Sequence, residues 1–324
     1  HAKPVYFQII GPWTNPERMP VDTARRSTDY GWLVLKIGGI AFASLMAWRN
    51  LRMGRGDRQG ALRLAAFAFV IGLAQFALRV HSASLGFDLI AAAVQDALWA
   101  GAQLWLAYIA LEPVVRRLWP RTLITWTRVL AGRWRDPLVA RDVLIGLLVG
   151  LGYDLVFAAS NALEMGSGVA STASTYLDSL LGIQPTTGII LNRLSIGLTV
   201  ALLFFLLFFV IRVIFRKEWL AGIVFVLFFV LTRGFDSTNP AITVASYTIV
   251  YGIIVIMLLR CGVLSMVVTI FVTDLVPEIL FTTNFPAWYG TGSLLIIALM
   301  VGLALLAFRY ALGGQRPWAQ LLDR

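Results

Sequence analysis

The chain reads as an all-α polytopic membrane protein. It is expected to have about nine transmembrane helices, one amphipathic interfacial helix and a short extended segment at the N-terminus. Three observations predict this. Of the 324 residues, 59% are hydrophobic, where soluble domains hold roughly half, and mean hydropathy is +0.79. Apolar runs near the ~20 residues needed to cross a hydrocarbon core recur along the chain. The net charge of +10 is confined to the short connections between them. That distribution is the positive-inside pattern of a membrane protein and not the basic face of a nucleic-acid binder.

Residues 1–29 are polar and hold four prolines. Pro4–Ile10 alternates and is β-branched, as a strand is, and the following GPWTNPERMP reads as turn and linker. One strand cannot fold alone. Residues 1–29 are therefore expected to be the extracytoplasmic end of a soluble domain, with 30–324 forming the transmembrane domain. The nine predicted spans are Tyr30–Trp48, Ala61–Val80, Leu89–Leu111, Val143–Leu163, Ile189–Ile211, Trp219–Leu231, Ala241–Leu259, Val263–Phe281 and Trp288–Tyr310. The sixth is short enough to be tilted, broken or re-entrant.

Placing the N-terminus outside puts nineteen of the 27 Lys and Arg residues on inside connections. The outside connection Glu164–Gly188 has none, and reads as a plain Ser/Thr/Gly-rich link. An odd span number then leaves the C-terminus in the cytoplasm. The basic connections are then expected on the cytoplasmic face of the membrane.

The most basic connection is Val115–Asp136, VRRLWPRTLITWTRVLAGRWRD. Trp119, Leu123, Trp126, Leu130 and Trp134 recur at spacings of four, three, four and four, which places them on one helical face. Arg121, Arg128 and Arg135 sit seven apart on another face, and Arg116, Arg117 and Arg133 add to the charge. The pattern predicts an amphipathic helix over 115–136 lying in the headgroup plane. Its arginines would meet anionic lipid of the cytoplasmic leaflet, at about 1 kcal/mol each. The simpler alternative is a solvated loop whose tryptophans form an aromatic belt.

Ionisable residues inside the spans are Lys36, Asp96, Asp154, Arg193, Arg233, Asp236 and Asp274, with Glu278 near a span end. Such residues are costly in lipid and mark pathways or pockets by default. Lys36 and Asp96, near the outer surface, could pair, and so could Asp154 and Arg193 on adjacent spans. Interhelical salt bridges that merely hold the bundle explain them more simply, because a proton or ion relay would want several acids at one depth and here they are scattered. Gly146 and Gly150 form a G-x-x-x-G that permits close helix approach.

The only histidines are His1 and His81, and Cys261 is the only cysteine, so the sequence offers no zinc or haem cluster. Cys261 reads as a buried structural thiol at a span end. Walker A, H-E-x-x-H and G-x-S-x-G motifs are absent. Membrane lipids are the expected ligands. Pigments are expected only if the chain belongs to a photosynthetic complex. Other membrane subunits or a second copy are the candidate protein partners, and nucleic acid is not.

Two stretches, KPVYFQIIGPWTNPERM (Lys3–Met19) and LEPVVRRLWPRTLITWTRVLAGRWRDPLVARDVLIG (Leu111–Gly146), resemble the C-terminal multi-pass membrane region attached to serine/threonine protein kinases of the acidobacterial type. The resemblance runs from Lys3 to the AWYGTGSLL segment at Ala287. It implies an upstream cytoplasmic kinase domain, a span, an outer domain and then this bundle. The chain itself has no V-A-I-K, H-R-D or D-F-G, so no catalytic residue carries over. The expected function is a non-catalytic anchor, and sensor, for a signalling kinase. The alternatives are an accessory or scaffold subunit of a larger membrane complex, for example an energy-converting or photosynthetic one, and a transporter.

Overall fold

The computed structural model describes residues 23–80, 86–166, 177–233, 239–279, 281–287 and 290–313. Among them are ten α-helices: α1 (Thr23–Arg52), α2 (Arg58–Arg79), α3 (Phe87–Leu118), α4 (Ile124–Leu130), α5 (Pro137–Gly166), α6 (Ile183–Phe215), α7 (Glu218–Arg233), α8 (Pro240–Arg260), α9 (Val263–Leu275) and α10 (Gly290–Ala311). Three 3-10 turns, Pro120–Leu123, Leu177–Leu181 and Val276–Glu278, complete the described elements, and no strand occurs among them. The strand predicted at Pro4–Ile10 lies outside the described residues. The chain divides into two units, His1–Gly38 and Gly39–Arg324. The described part of the first is the opening of α1. That helix begins at Thr23, seven residues before the predicted first span, and the predicted turn and linker over 11–20 lies outside the described residues.

The architecture is that of a helical membrane protein. Six helices, α2, α3, α5, α6, α8 and α10, are long and apolar enough to cross a membrane. Large apolar side chains such as Leu62, Val70, Leu148 and Leu155 point out of the bundle. That arrangement suits a hydrocarbon solvent and would be a liability in water. Helical backbone satisfies its own polar groups, as lipid requires.

Local chemistry sets the helix ends. Asp57 caps α2 by accepting the Gly60 N–H at 2.8 Å. Pro137 opens α5, with the Asp136 carboxylate accepting the Leu138 N–H at 2.9 Å. Pro240 opens α8.

Each predicted apolar segment falls on a helix, but two of the helices are short. The sixth segment is the unbroken 16-residue α7, about 24 Å long. The eighth, predicted as Val263–Phe281, is corrected. Its α-helix stops at Leu275 and continues only as the Val276–Glu278 turn, because Pro277 has no N–H to carry the ladder onward. At about 20 Å, α9 is shorter than a bilayer core. It is also buried on nearly every face, packed by α5, α6 and α8. It is the axis of the bundle, and its neighbours serve as its solvent.

Two features allow this packing. Gly146 and Gly150 of α5 face α9: a Cβ on either would come within 2.7 Å of the Ser265 carbonyl oxygen or the Val272 Cβ. The expected close approach is thus present, and Thr269 Oγ1 lies 3.3 Å from the Gly146 carbonyl. The second feature is an aromatic core. Phe229 of α7 stacks on Tyr251 of α8 at 4.2 Å, and Phe204 of α6 meets Phe225 and Phe229 edge-on.

Candidate functional site: a charged layer inside the bundle

α2 and α3 run antiparallel, with Gly72 beside Ala97 and Gly101 beside Ala65, while α5 and α9 run in the same direction, with Gly146 beside Ser265 and Gly150 beside Thr269, so the ends of these helices fall into two sets. One set carries the arginine-rich connections. The other lies at the far end, where α6 and α10 begin. Arg193 and Glu278 lie towards the far end.

Arg193, in the third turn of α6, donates to Glu278 Oε1 at 2.5 Å, and both side chains are largely buried. Glu278 sits on the 3-10 turn that ends α9, so Pro277 delivers it there. Asp274, one turn earlier, stands close enough to Glu278 and to Asp154 of α5 to act on both electrostatically, and Arg79 of α2 also acts on Glu278. Asp154 continues the stripe Gly146, Gly150, Asp154 at spacings of four, which turns it towards α9. Its Oδ2 is buried with no hydrogen-bond partner among the described residues. Gly188 of α6 makes room for the Arg79 stem, since a Cβ there would lie 2.6 Å from Arg79 Cγ. Charges from α2, α5, α6 and α9 with its following turn thus share one layer.

The predicted pair Asp154–Arg193 is therefore revised. Arg193 takes Glu278, and Asp154 is grouped with Asp274. The expectation that the acids are scattered is also corrected: positions 154, 274 and 278 are far apart in sequence, but α5 and α9 pack side by side. Asp96 is exposed on α3. The side chains of Lys36 and Arg233, and all of Asp236, lie outside the described residues, so the Lys36–Asp96 pair is not addressed.

The arginine-rich connection departs from expectation more sharply. A single helix over 115–136 does not form. α3 ends at Leu118, Pro120 opens a 3-10 turn, α4 lasts seven residues, and Gly132 (φ +79°) reverses the chain. The tryptophans do not share a lipid face. Trp126 is 2% exposed and Trp119 9% exposed, both in the protein core, while Trp134 is 71% exposed. Trp119 Nε1 donates to Glu218 Oε1 of α7 at 3.3 Å, and its ring lies 5.8 Å from Phe208. The α8–α9 corner presses onto the same segment: Gly262 (φ +108°) sits where a Cβ would be 2.8 Å from the Thr122 carbonyl oxygen.

Several arginines are spent within the fold. Arg116 pairs with buried Glu112 at 2.5 Å. Arg63 donates to the Leu130 carbonyl at 3.0 Å. Arg128 Nη1 bonds both Asp136 oxygens at 2.6 Å. Partial desolvation pushes the Asp136 carboxyl up, but the Leu138 N–H and the Arg128 guanidinium outweigh it and hold the group below the usual carboxylate range. Cys261, at the end of α8, is half-buried and not fully buried as expected. Burial pushes its thiol up, and the nearby Asp142 carboxylate adds to that.

Sequence reasoning missed four residues here. Pro113 lies inside α3 and leaves the Ile109 carbonyl without its helical donor. Buried Asn50 of α1 supplies one, with Nδ2 donating to the Ile109 and Ala110 carbonyls at 2.9 and 3.1 Å. A proline within a helical pattern was the available signal. Glu112 and Asp142 are buried acids at this end. Asp142 accepts from Thr125 Oγ1 at 2.7 Å and pairs with Arg141 at 3.1 Å. Acids placed among arginines were their signal. No family model, curated protein or solved structure matches the chain.

Proposed function

We propose that the chain is a non-catalytic integral membrane domain that anchors a signalling kinase and senses for it. In this reading it has about nine spans in a bacterial inner membrane, α9 being a short one enclosed by its neighbours, with the N-terminus outside and the C-terminus in the cytoplasm. Anionic lipid faces its arginine-rich end. The kinase association rests on the resemblance described above.

One structural observation supports a transmitting role. α5 carries Asp142, bonded to Thr125 of the arginine-rich connection, and twelve residues later Asp154 of the interior charged layer. The helix between them is continuous and packs tightly on α9. A stimulus that rearranged the layer would move α5, and α5 would move the inner connection. The test is mass spectrometry of the digested native membrane preparation. Peptides upstream of His1 that carry kinase motifs support the reading. Deleting the bundle should then displace the kinase from the membrane or change its output, and unchanged location and output would sink the proposal. A chain that co-purifies stoichiometrically with other membrane subunits would point to the accessory-subunit alternative.

The charged layer favours transport as a second reading, because it places acids and arginines of four helices together within the bundle. Liposome flux that Asp274→Asn abolishes would establish it.

A further inference from the structure

The arginine-rich connection leaves a basic groove among the described residues, and we infer that it binds the phosphodiester headgroup of an anionic lipid. Its walls are Gly132, Arg133, Trp134, Arg135 and Asp136 on one side and Tyr310 of α10 on the other. Of the arginines in this connection, Arg116 and Arg128 are committed to Glu112 and Asp136. Arg133 and Arg135 are exposed, and both line the groove. The one acid present, Asp136, is already neutralised by Arg128 at 2.6 Å and holds the Leu138 N–H. The groove is therefore positive despite containing a carboxylate.

The geometry is prearranged. Gly132 takes a left-handed conformation, and the Arg133 N–H bonds the Arg128 carbonyl at 2.9 Å. The two guanidinium stems thus leave a closed turn rather than a loose loop. Guanidinium groups match phosphate oxygens with paired donors. Position selects a lipid over a soluble anion. The turn sits at the foot of α5 and beside the last turn of α10, both long and apolar enough to cross a membrane. Gly313, just past α10, lies beside Pro137 of α5. Exposed Trp134 and half-buried Tyr310 flank the charge, as aromatic side chains do at headgroup level.

This inference needs the membrane placement and not the kinase association, so the two can fail separately. The test uses the full chain, purified in detergent and delipidated. Native mass spectrometry would follow titration with phosphatidylglycerol, with phosphatidylcholine, and with inorganic phosphate as competitor. Phosphatidylglycerol should bind in clear preference to phosphatidylcholine. The double variant Arg133→Gln/Arg135→Gln should lose roughly tenfold or more of that affinity. Arg117→Gln, an exposed arginine outside the groove, should change it less than about twofold. Both substitutions are on exposed side chains, and an unchanged melting temperature checks that the fold is intact. Equal losses in the two variants would replace a site with diffuse charge. Failure to prefer phosphatidylglycerol, or its displacement by inorganic phosphate, would overturn a lipid headgroup site.

Discussion

The two charged regions of this protein are built inside out from one another. At the arginine-rich end, Trp119 and Trp126 turn inward and Arg117, Arg133 and Arg135 turn outward. In the interior layer, Arg193 and Glu278 turn inward, while α6, which carries Arg193, presents Leu203 and Val213 outward. The same residue types therefore carry opposite costs. An exposed arginine keeps its hydration and is nearly neutral for stability. A buried one depends on its partner, because an uncompensated charge in a low-dielectric interior is expensive.

The tryptophans give the widest contrast. Trp126→Ala should destabilise the full chain by about 3–5 kcal/mol in thermal unfolding. Trp134→Ala should stay within roughly 0.5 kcal/mol. Equal effects would mean that the connection is the uniform interfacial helix its sequence resembles.

The charges should behave the other way round. Arg193→Met leaves Glu278 buried without the cation it is hydrogen-bonded to and should cost about 3 kcal/mol. Adding Glu278→Gln should recover most of that loss. Arg117→Ala should cost almost nothing by the same unfolding assay. A double variant no better than the single one would show that Arg193 acts through its packing and not its charge.

Glycines sharpen the comparison at smaller scale. Gly150→Ala drives a methyl to within 2.7 Å of Val272 Cβ and should cost roughly 1–3 kcal/mol. Gly152, two residues along the same helix, has nothing within 4 Å of an added Cβ. Gly152→Ala should be neutral or stabilise by up to about 1 kcal/mol. Reversal of that order would remove α5–α9 contact as the basis of the layer.

The smallest effect is the pH response of the 128–136 turn. The Asp136 carboxyl is held below its ordinary value, so its contribution is complete above the unfolded-state pKa and fades as pH falls through the folded one. Hydrogen exchange at the Leu138 and Arg133 amides should stay slow at neutral pH and rise only below about pH 4. Acceleration already near pH 6 would show that another group controls the turn.

What the sequence made legible follows from local physics. Helices α2, α3, α5, α6, α8 and α10 announce themselves as long apolar runs, because lipid demands that every backbone group be bonded within its own segment. The Gly146–Gly150 contact is a spacing rule on one helix. The arginine-rich connection misled for a related reason. Its period of three and four is real, but periodicity reports which residues share a face and not what that face meets. Pro120 and Gly132 also break the helix that the spacing implies.

By itself, then, the sequence determined a helical bundle with basic connections, the close approach of α5, and the residues that had to find partners. Only the tertiary structure decided that α9 is a short central axis, that Trp126 packs on protein, and that Arg193 pairs with Glu278 and not Asp154. Hydropathy and capping act over a few residues, and one chain segment contains all the information they need. Partner choice depends on which helices lie side by side, and residues 154, 193, 274 and 278 become neighbours only when α5, α6 and α9 close around one another.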